Sequence, residues 1–286
     1  MKIFLIAVSA LILLASPLSA AEQSGTLEQI KESGTIRLGY RESEPPMSFV
    51  DESGKPVGYS IDLCRRIATA VKAELKMPEI AVELVPVNAA NRFTALSDNK
   101  IDILCGSTTK TLSRSEIVDF TQLTFVTGAS LLSLDGSKVA AVADLQGKKV
   151  GVVKGTTTIE VLKGALKDSL TEAEVVPVDS ASDAVKSLLD GKIDAFSSDQ
   201  VVLIGLVLTS EDKGDLVISN ELFSFEPFAL AVRRNDADFR LVADRVLSHL
   251  YRSGQIIQIY KKWFGQFSNK APAALGAVYR LNATPE

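Results

Sequence analysis

Histidine is nearly absent: His249 is the sole example in the 286-residue chain. A metal site built from several imidazoles is excluded on that ground, and a Ser–His relay has only one residue that could serve as its base. Basic blocks are missing too. Lys, Arg, Asp and Glu are interspersed and the formal net charge is −4, so nucleic acid finds no continuous cationic surface. Beyond the first segment of the chain, no apolar run is long enough to span a bilayer. Cysteine is confined to Cys64 and Cys105. Two such residues suit a bridge in an oxidising compartment, or a pair of small buried hydrophobes. Apolar residues make up 46% of the chain, ample for a packed core.

The chain begins "MKIFLIAVSALILLASPLSAAEQ". Lys2 leads into an apolar run from Ile3 to Ala15, followed by Pro17 and the small residues Ser19, Ala20 and Ala21. That order of charge, apolar core and small residues predicts a secretory signal peptide over residues 1–21, cleaved after Ala20 or Ala21. The run is shorter than the roughly 20 apolar residues of a membrane anchor. No cysteine stands at the cleavage point, which argues against lipid attachment there. The mature chain, with Lys2 removed, carries a formal charge of −5 rather than −4.

An internal repeat organises the rest of the chain. "LSDNKIDIL" (Leu96 to Leu104) and "LLDGKIDAF" (Leu188 to Phe196) share Leu, Asp, Lys, Ile and Asp at an offset of 92. "LVPVN" from Leu84 is echoed by "VVPVD" from Val175 at an offset of 91, and "GTIRLGYR" from Gly34 more loosely by "GKKVGVVKG" from Gly147. Three matches in one order predict a duplicated supersecondary unit. Each copy has a β-α-β-α-β pattern. In the first, the strands are "TIRLGY", "AVELVPV" and "IDILC", with helices near Ser60 to Leu75 and at "RFTALSD". In the second, the strands are "KKVGVV", "AEVVPV" and "IDAFSS", with helices through "IEVLKGAL" and "SDAVKSLLD". Alternation of this kind predicts an α/β fold of two lobes, each a mostly parallel sheet flanked by helices. "FVTGASLLSL" and "FSFEPFALAVRR" are apolar and strand-like, so they are expected to cross between the lobes as a two-strand hinge. The expected division is 22–128 for the first part of lobe 1, 129–228 for lobe 2, and 229–286 for the return to lobe 1. The tail after Asn269 carries no strong pattern.

Ligands of open parallel sheets sit beyond the carboxyl ends of the strands. The residues at those ends are Arg41, Asn91 with Arg92, and Ser107 to Thr109 in the first copy. In the second they are Gly155 to Thr157, Asp179 with Ser180, and Ser197 to Asp199. Arg114 closes "CGSTTKTLSR" and is brought round beside the hydroxyls. A carboxylate seeks a bidentate Arg with hydroxyl and N–H donors, which suits Arg114 with Ser107, Thr109, Thr156 and Thr157. Asp199 is placed to accept from an ammonium group, or to cap the next helix. Arg41 and Arg92 remain, and two spare arginines at neighbouring tips suggest a second carboxylate on the ligand. Ser113 with Glu116, and Thr157 with Glu160, read as capping boxes.

Taken together, "GYRESEPPMSFVDESGKPVGYSIDL", "NRFTAL", "IDILCGSTTKTLSRSEIVDFT", "GKKVGVVKGTT" and "YKKWFG" resemble the periplasmic amino-acid-binding proteins of ABC importers, the family 3 solute-binding proteins. The glutamate/aspartate-binding subgroup is the most similar, through "GYRES" and through "GSTT" followed by Arg. The resemblance implies the two-lobed type II periplasmic-binding-protein fold and capture of an acidic L-amino acid for a membrane permease, by a monomer in the periplasm. It implies no cofactor and no metal. It assigns Arg114, Thr109 and the backbone near Thr157 to the α-carboxylate, Asp199 with Ser107 to the α-ammonium, and Arg41 with Arg92 to the side-chain carboxylate. It also pairs Cys64 with Cys105. Two departures stand out. A His common in relatives is replaced near Ala181, and Ala89 and Glu44 differ from the family's usual small hydroxyl and neutral residues. These would retune aspartate against glutamate or admit glutamine.

Two rival functions are an enzyme on the same fold, such as a dehydratase of a cyclic carboxylic acid, and a sensor module. The enzyme needs a general acid in the cleft. Glu160 and Glu44 are its candidates, though a cap explains Glu160 and a proline-led turn explains Glu44. The sensor predicts fusion to a membrane segment.

Overall fold

The computed structural model describes residues 25–210, 213–268 and 270–286. The signal peptide expected over residues 1–21 lies outside the described residues.

The first unit opens with α1 (Thr26–Ser33) and β1 (Thr35–Tyr40). A small antiparallel sheet comes next, made of β2 (Ser43–Glu44), β3 (Ser48–Val50) and β4 (Pro56–Val57). Then come α2 (Tyr59–Glu74), β5 (Ala81–Pro86), α3 (Arg92–Ser97) and β6 (Ile103–Cys105). After a turn of 3-10 helix at Arg114–Glu116, β7 (Val118–Thr127) runs up to Gly128 and β8 (Ala129–Leu134) enters the second unit. That unit holds β9 (Lys149–Val153), α4 (Thr158–Asp168), β10 (Glu174–Val178), α5 (Ala181–Leu189), β11 (Ala195–Asp199), α6 (Gln200–Thr209) and β12 (Leu216–Ile218). The chain returns through β13 (Glu226–Arg233) and ends in α7 (Ala237–Arg252), α8 (Ile256–Phe264) and α9 (Ala273–Leu281).

Two five-stranded sheets result, ordered β5-β1-β6-β13-β7 and β10-β9-β11-β8-β12. The three repeat strands of each are parallel, in the same spatial order. The crossing strands add antiparallel pairs, so both sheets are mixed. Pairing of Glu226 with Thr127 and of Phe228 with Phe125 carries β13 along β7, so residues 226–228 lie in the first sheet. The two crossings touch one another: Ala129 N donates to Ser224 Oγ (2.9 Å) and Phe223 N to Ala129 O (3.1 Å).

The repeat has a structural cause. Arg37 N donates to Asp102 Oδ2 and Lys149 N to Asp194 Oδ2, each at 2.7 Å. The repeated Asp thus satisfies the backbone at the start of the first strand in each copy. Asn99 and Gly191, also equivalent, end their helices in the left-handed conformation (φ 57° and 67°), which Asn and Gly adopt at least cost.

The tail forms a helix that the sequence pattern does not predict. In α9, Leu275 and Tyr279 are buried, and the Tyr279 hydroxyl lies 3.0 Å from that of Tyr59. The i, i+4 spacing of Leu275 and Tyr279 just after Pro272 is the signal that was available. Cys64 in α2 and Cys105 at the end of β6 form a disulfide.

Candidate functional site

The tips of the parallel strands face one another across a small enclosed cavity. Arg41, Arg92, Ser107, Thr109, Arg114, Thr156, Thr157 and Asp199 all line it, with Glu44, Val153, Ala181, Ser198 and Val202 completing the wall. The space within is about 20 Å³ for water centres, the room of a single water. The other tip residues fall elsewhere. Asn91 Oδ1 accepts from Asn88 N in a turn (2.9 Å). Asp179 pairs with exposed Lys154 (2.8 Å), Ser180 caps α5, and Ser197 donates to Ser130 O (3.2 Å). A larger groove of about 840 Å³ includes Glu42, Asp51 and Glu52 in its wall. Among the described residues no Lys or Arg lines that groove, so an anion finds no counter-charge there.

The arginines differ in their partners. Arg41 Nη1 lies 2.7 Å from Glu44 Oε1, and both side chains are buried. Glu44 Oε2 accepts from Ser107 Oγ at 2.6 Å. Arg92 is 3% exposed and its Nη2 donates to Gly155 O (3.2 Å), yet its Nε has no partner. Burial, then the nearby charges of Arg41 and Arg114, pushes the Arg92 guanidinium down to about 9. Arg114 Nη1 donates to Thr109 O (2.8 Å). Burial lowers its pKa as well, while Glu226 and Asp199 oppose the shift. The ring of Phe93 receives both guanidinium groups, at 4.8 Å from Arg92 and 5.5 Å from Arg114, an arrangement that fixes the two cations by cation–π attraction.

Asp199 occupies the N-cap position of α6, but its side chain makes no capping bond. Its Oδ1 is buried without a partner. Burial raises its pKa well above the carboxylate range, Glu226 and Glu44 raise it further, and Arg114 and Arg92 oppose them. A buried group left unpaired in this way carries a desolvation cost that a suitable ligand relieves.

Glu226 is the residue that reading the sequence missed. It is 2% exposed and sits at the start of β13. Its Oε2 accepts from Thr109 Oγ1 (2.6 Å) and Thr157 Oγ1 (3.0 Å), and its Oε1 from Ser224 Oγ (2.8 Å). The capping box expected at Thr157 is therefore replaced: that hydroxyl turns to Glu226, while exposed Glu160 pairs with Lys163 at 3.0 Å. Ser113 likewise makes no side-chain cap. An acidic residue inside the apolar stretch "FSFEPFALAVRR" was the available sign.

Two α/β units joined by paired crossings, with a charged cavity between their strand tips, define a solute-binding protein of the type II periplasmic fold. The chain belongs to the bacterial extracellular solute-binding proteins, family 3, whose pattern matches residues 36–266. It is 36% identical over 255 residues to the L-glutamate/L-aspartate-binding protein of Pseudomonas aeruginosa, covering 89% of this chain and 84% of that protein. Identity to the glutamate/aspartate import solute-binding protein of Escherichia coli is 30% over 246 residues, covering 86% and 82%. A cysteine-binding protein from Campylobacter jejuni shares the fold with a TM-score of 0.76 at 28% identity, covering 88% of this chain and 98% of that one.

Proposed function

We propose that this chain captures an acidic L-amino acid, glutamate or aspartate, in the cavity between two lobes and delivers it to a membrane ABC permease. One observation carries the reading: Arg92 Nε and Asp199 Oδ1 are buried without partners on the wall of one cavity. With Arg114 on the same wall, a guanidinium and a carboxyl that each keep one buried atom unpartnered are the complement of a zwitterion with a further negative charge. In this reading Arg114 takes the α-carboxylate, assisted by donors from the Thr109 strand tip and from Thr156 and Thr157 at the start of α4. Asp199 takes the α-ammonium, with Ser107 on the same wall. The second carboxylate goes to the side of the cavity where Arg41 and Arg92 stand. The names of the relatives support an acidic ligand and a transport role.

The lobes meet the membrane complex as a closed monomer in the periplasm, after removal of residues 1–21. The chain passes between them at Gly128 and again between β12 and β13. Ligand held on one lobe supplies the counter-charges that draw in the other. Closure then excludes water and strengthens the ion pairs. Among the described residues no helix is long and apolar enough to cross a membrane.

A binding role is favoured over a dehydratase by the two acids that could serve it. Glu160 is exposed in an ion pair with Lys163, and Glu44 is held by Arg41 and Ser107. The test is thermal denaturation of ligand-stripped protein against each of the common amino acids. At a hundredfold excess over Kd a true ligand adds about 2.7 kcal/mol. L-glutamate or L-aspartate is expected to raise Tm most. A larger rise with a basic or apolar amino acid would overturn the assignment.

A further inference from the structure

We infer that Glu44 is a specificity-determining residue: a built-in carboxylate that satisfies Arg41 and Ser107, so that Arg92 alone receives the ligand's second carboxylate. The inference deepens the proposed function and rests on it.

The Arg41–Glu44–Ser107 corner is already complete. Glu44 uses one oxygen on Arg41 Nη1 (2.7 Å) and the other on Ser107 Oγ (2.6 Å). The backbone holds both partners in place. Arg41 N donates to Ser48 Oγ (2.9 Å), that hydroxyl donates back to Arg41 O (3.3 Å), and Met47 N donates to Glu44 O (2.9 Å). Gly106 closes the corner from behind: a Cβ there would stand 3.0 Å from Arg41 Cγ and 3.7 Å from Glu44 Oε2. A second carboxylate brought to Arg41 would have to displace Glu44 or sit beside it as a like charge.

Arg92 stands in the opposite condition. Among the described residues it forms no ion pair within 4.0 Å, and its Nε is buried and unpartnered. Its only described side-chain hydrogen bond, from Nη2 to Gly155 O, leaves the buried Nε free to donate. A planar carboxylate suits a guanidinium edge. Choice between an acid and its amide, glutamate against glutamine, therefore resides at Arg92, and Glu44 keeps Arg41 out of it.

The test is calorimetric titration of full-length mature protein with L-glutamate, L-aspartate and L-glutamine, in wild type, Glu44→Gln, Arg92→Gln and the double variant. Loss of one partner of a buried charge pair predicts that Arg92→Gln lowers the glutamate-to-glutamine affinity ratio by about a hundredfold. Glu44→Gln releases Arg41 and raises that ratio by about tenfold or more. The double variant regains about tenfold of what Arg92→Gln loses, because the freed Arg41 takes over. If Glu44 instead orients Arg41 toward the ligand, Glu44→Gln lowers the ratio and the double variant is worse than Arg92→Gln. Either result overturns the inference. Should the double variant not melt cooperatively, Glu44→Gln alone decides the sign. Failure of wild type to bind either acid would be seen before any variant, and would overturn the underlying function instead.

Discussion

The Thr157 hydroxyl, at the head of α4, donates to the carboxylate of Glu226 across 3.0 Å. The same oxygen accepts from Thr109 at 2.6 Å, so one buried acid on a crossing strand ties the strand tip of one unit to the helix start of the other. Hydrogen bonds to a charged acceptor contribute about 1.5–3 kcal/mol each. Glu226→Ala is expected to shift the ligand-free protein toward an open form. Small-angle scattering should show a larger radius of gyration, and affinity for the acidic ligand should fall about tenfold or more. An unchanged radius and affinity would remove Glu226 from the closing contacts.

A second closing contact is steric. A Cβ built on Gly205 in α6 would lie 2.0 Å from the carbonyl oxygen of Pro45 in the other unit. Backbone does not yield as a flexible side-chain end does, and forcing extra volume into a packed contact costs about 1–3 kcal/mol. Gly205→Ala should therefore weaken ligand binding by about 5- to 150-fold. The ligand-free melting temperature should change little, because the sheet face around Leu104 and Phe120 in one unit and that around Val150 and Leu162 in the other pack separately. A large loss of ligand-free stability would instead place the contact within a core.

Much of this was legible in the sequence. The repeat located both sheets, because its Asp, Asn and Gly residues hold backbone ends that are equivalent in the two copies. The order of the strand tips singled out eight candidate residues, and all eight line one cavity. What escaped depended on contacts between distant segments. Thr109 meets Glu226 because an isolated bridge pairs Thr109 with Phe228, a register that no local pattern encodes. Phe93 read as an apolar residue of α3, yet it faces Arg92 and Arg114. Glu44 read as part of a proline-led turn, and only the fold puts it against Ser107, 63 residues on. The helix α9 has little pattern of its own and is defined by burial of Leu275 and Tyr279.

The disulfide offers a third prediction. Cys64 and Cys105 close a loop spanning 41 residues, for which chain-entropy arguments give about 3–4 kcal/mol. The bridge ties α2 to the strand that ends just before Gly106, whose carbonyl also accepts from Ser60 Oγ (2.9 Å). Replacing both cysteines by Ala should lower Tm by about 6–15 °C. Equal melting temperatures for the two proteins would contradict this.

A fourth prediction concerns pH. In the ligand-free protein the Asp199 pKa is raised well above 3.8, so the folded chain holds this proton more tightly than the unfolded chain. The resulting stability is fully present below the unfolded value and is lost as pH rises through the folded one. An ammonium ligand favours the ionised form, so binding below the raised pKa releases a proton and weakens as pH falls. Titration in buffers of different ionisation enthalpy should detect that proton. Asp199→Asn, which removes the buried acid, should raise the ligand-free Tm at neutral pH while abolishing tight binding. Retained affinity, or a lowered Tm, would count against Asp199 as the ammonium partner.

The central claim is that the cavity selects a zwitterion carrying a second carboxylate. Isothermal titration of refolded, ligand-stripped mature protein with L-glutamate, L-aspartate and L-glutamine tests it most directly. One of the two acids should bind at about 1 μM or tighter, near −8 kcal/mol, and glutamine more weakly. Binding of glutamine alone would keep Arg114 and Asp199 in their roles but contradict the second-carboxylate site at Arg92. No heat with any of the three would contradict the account as a whole.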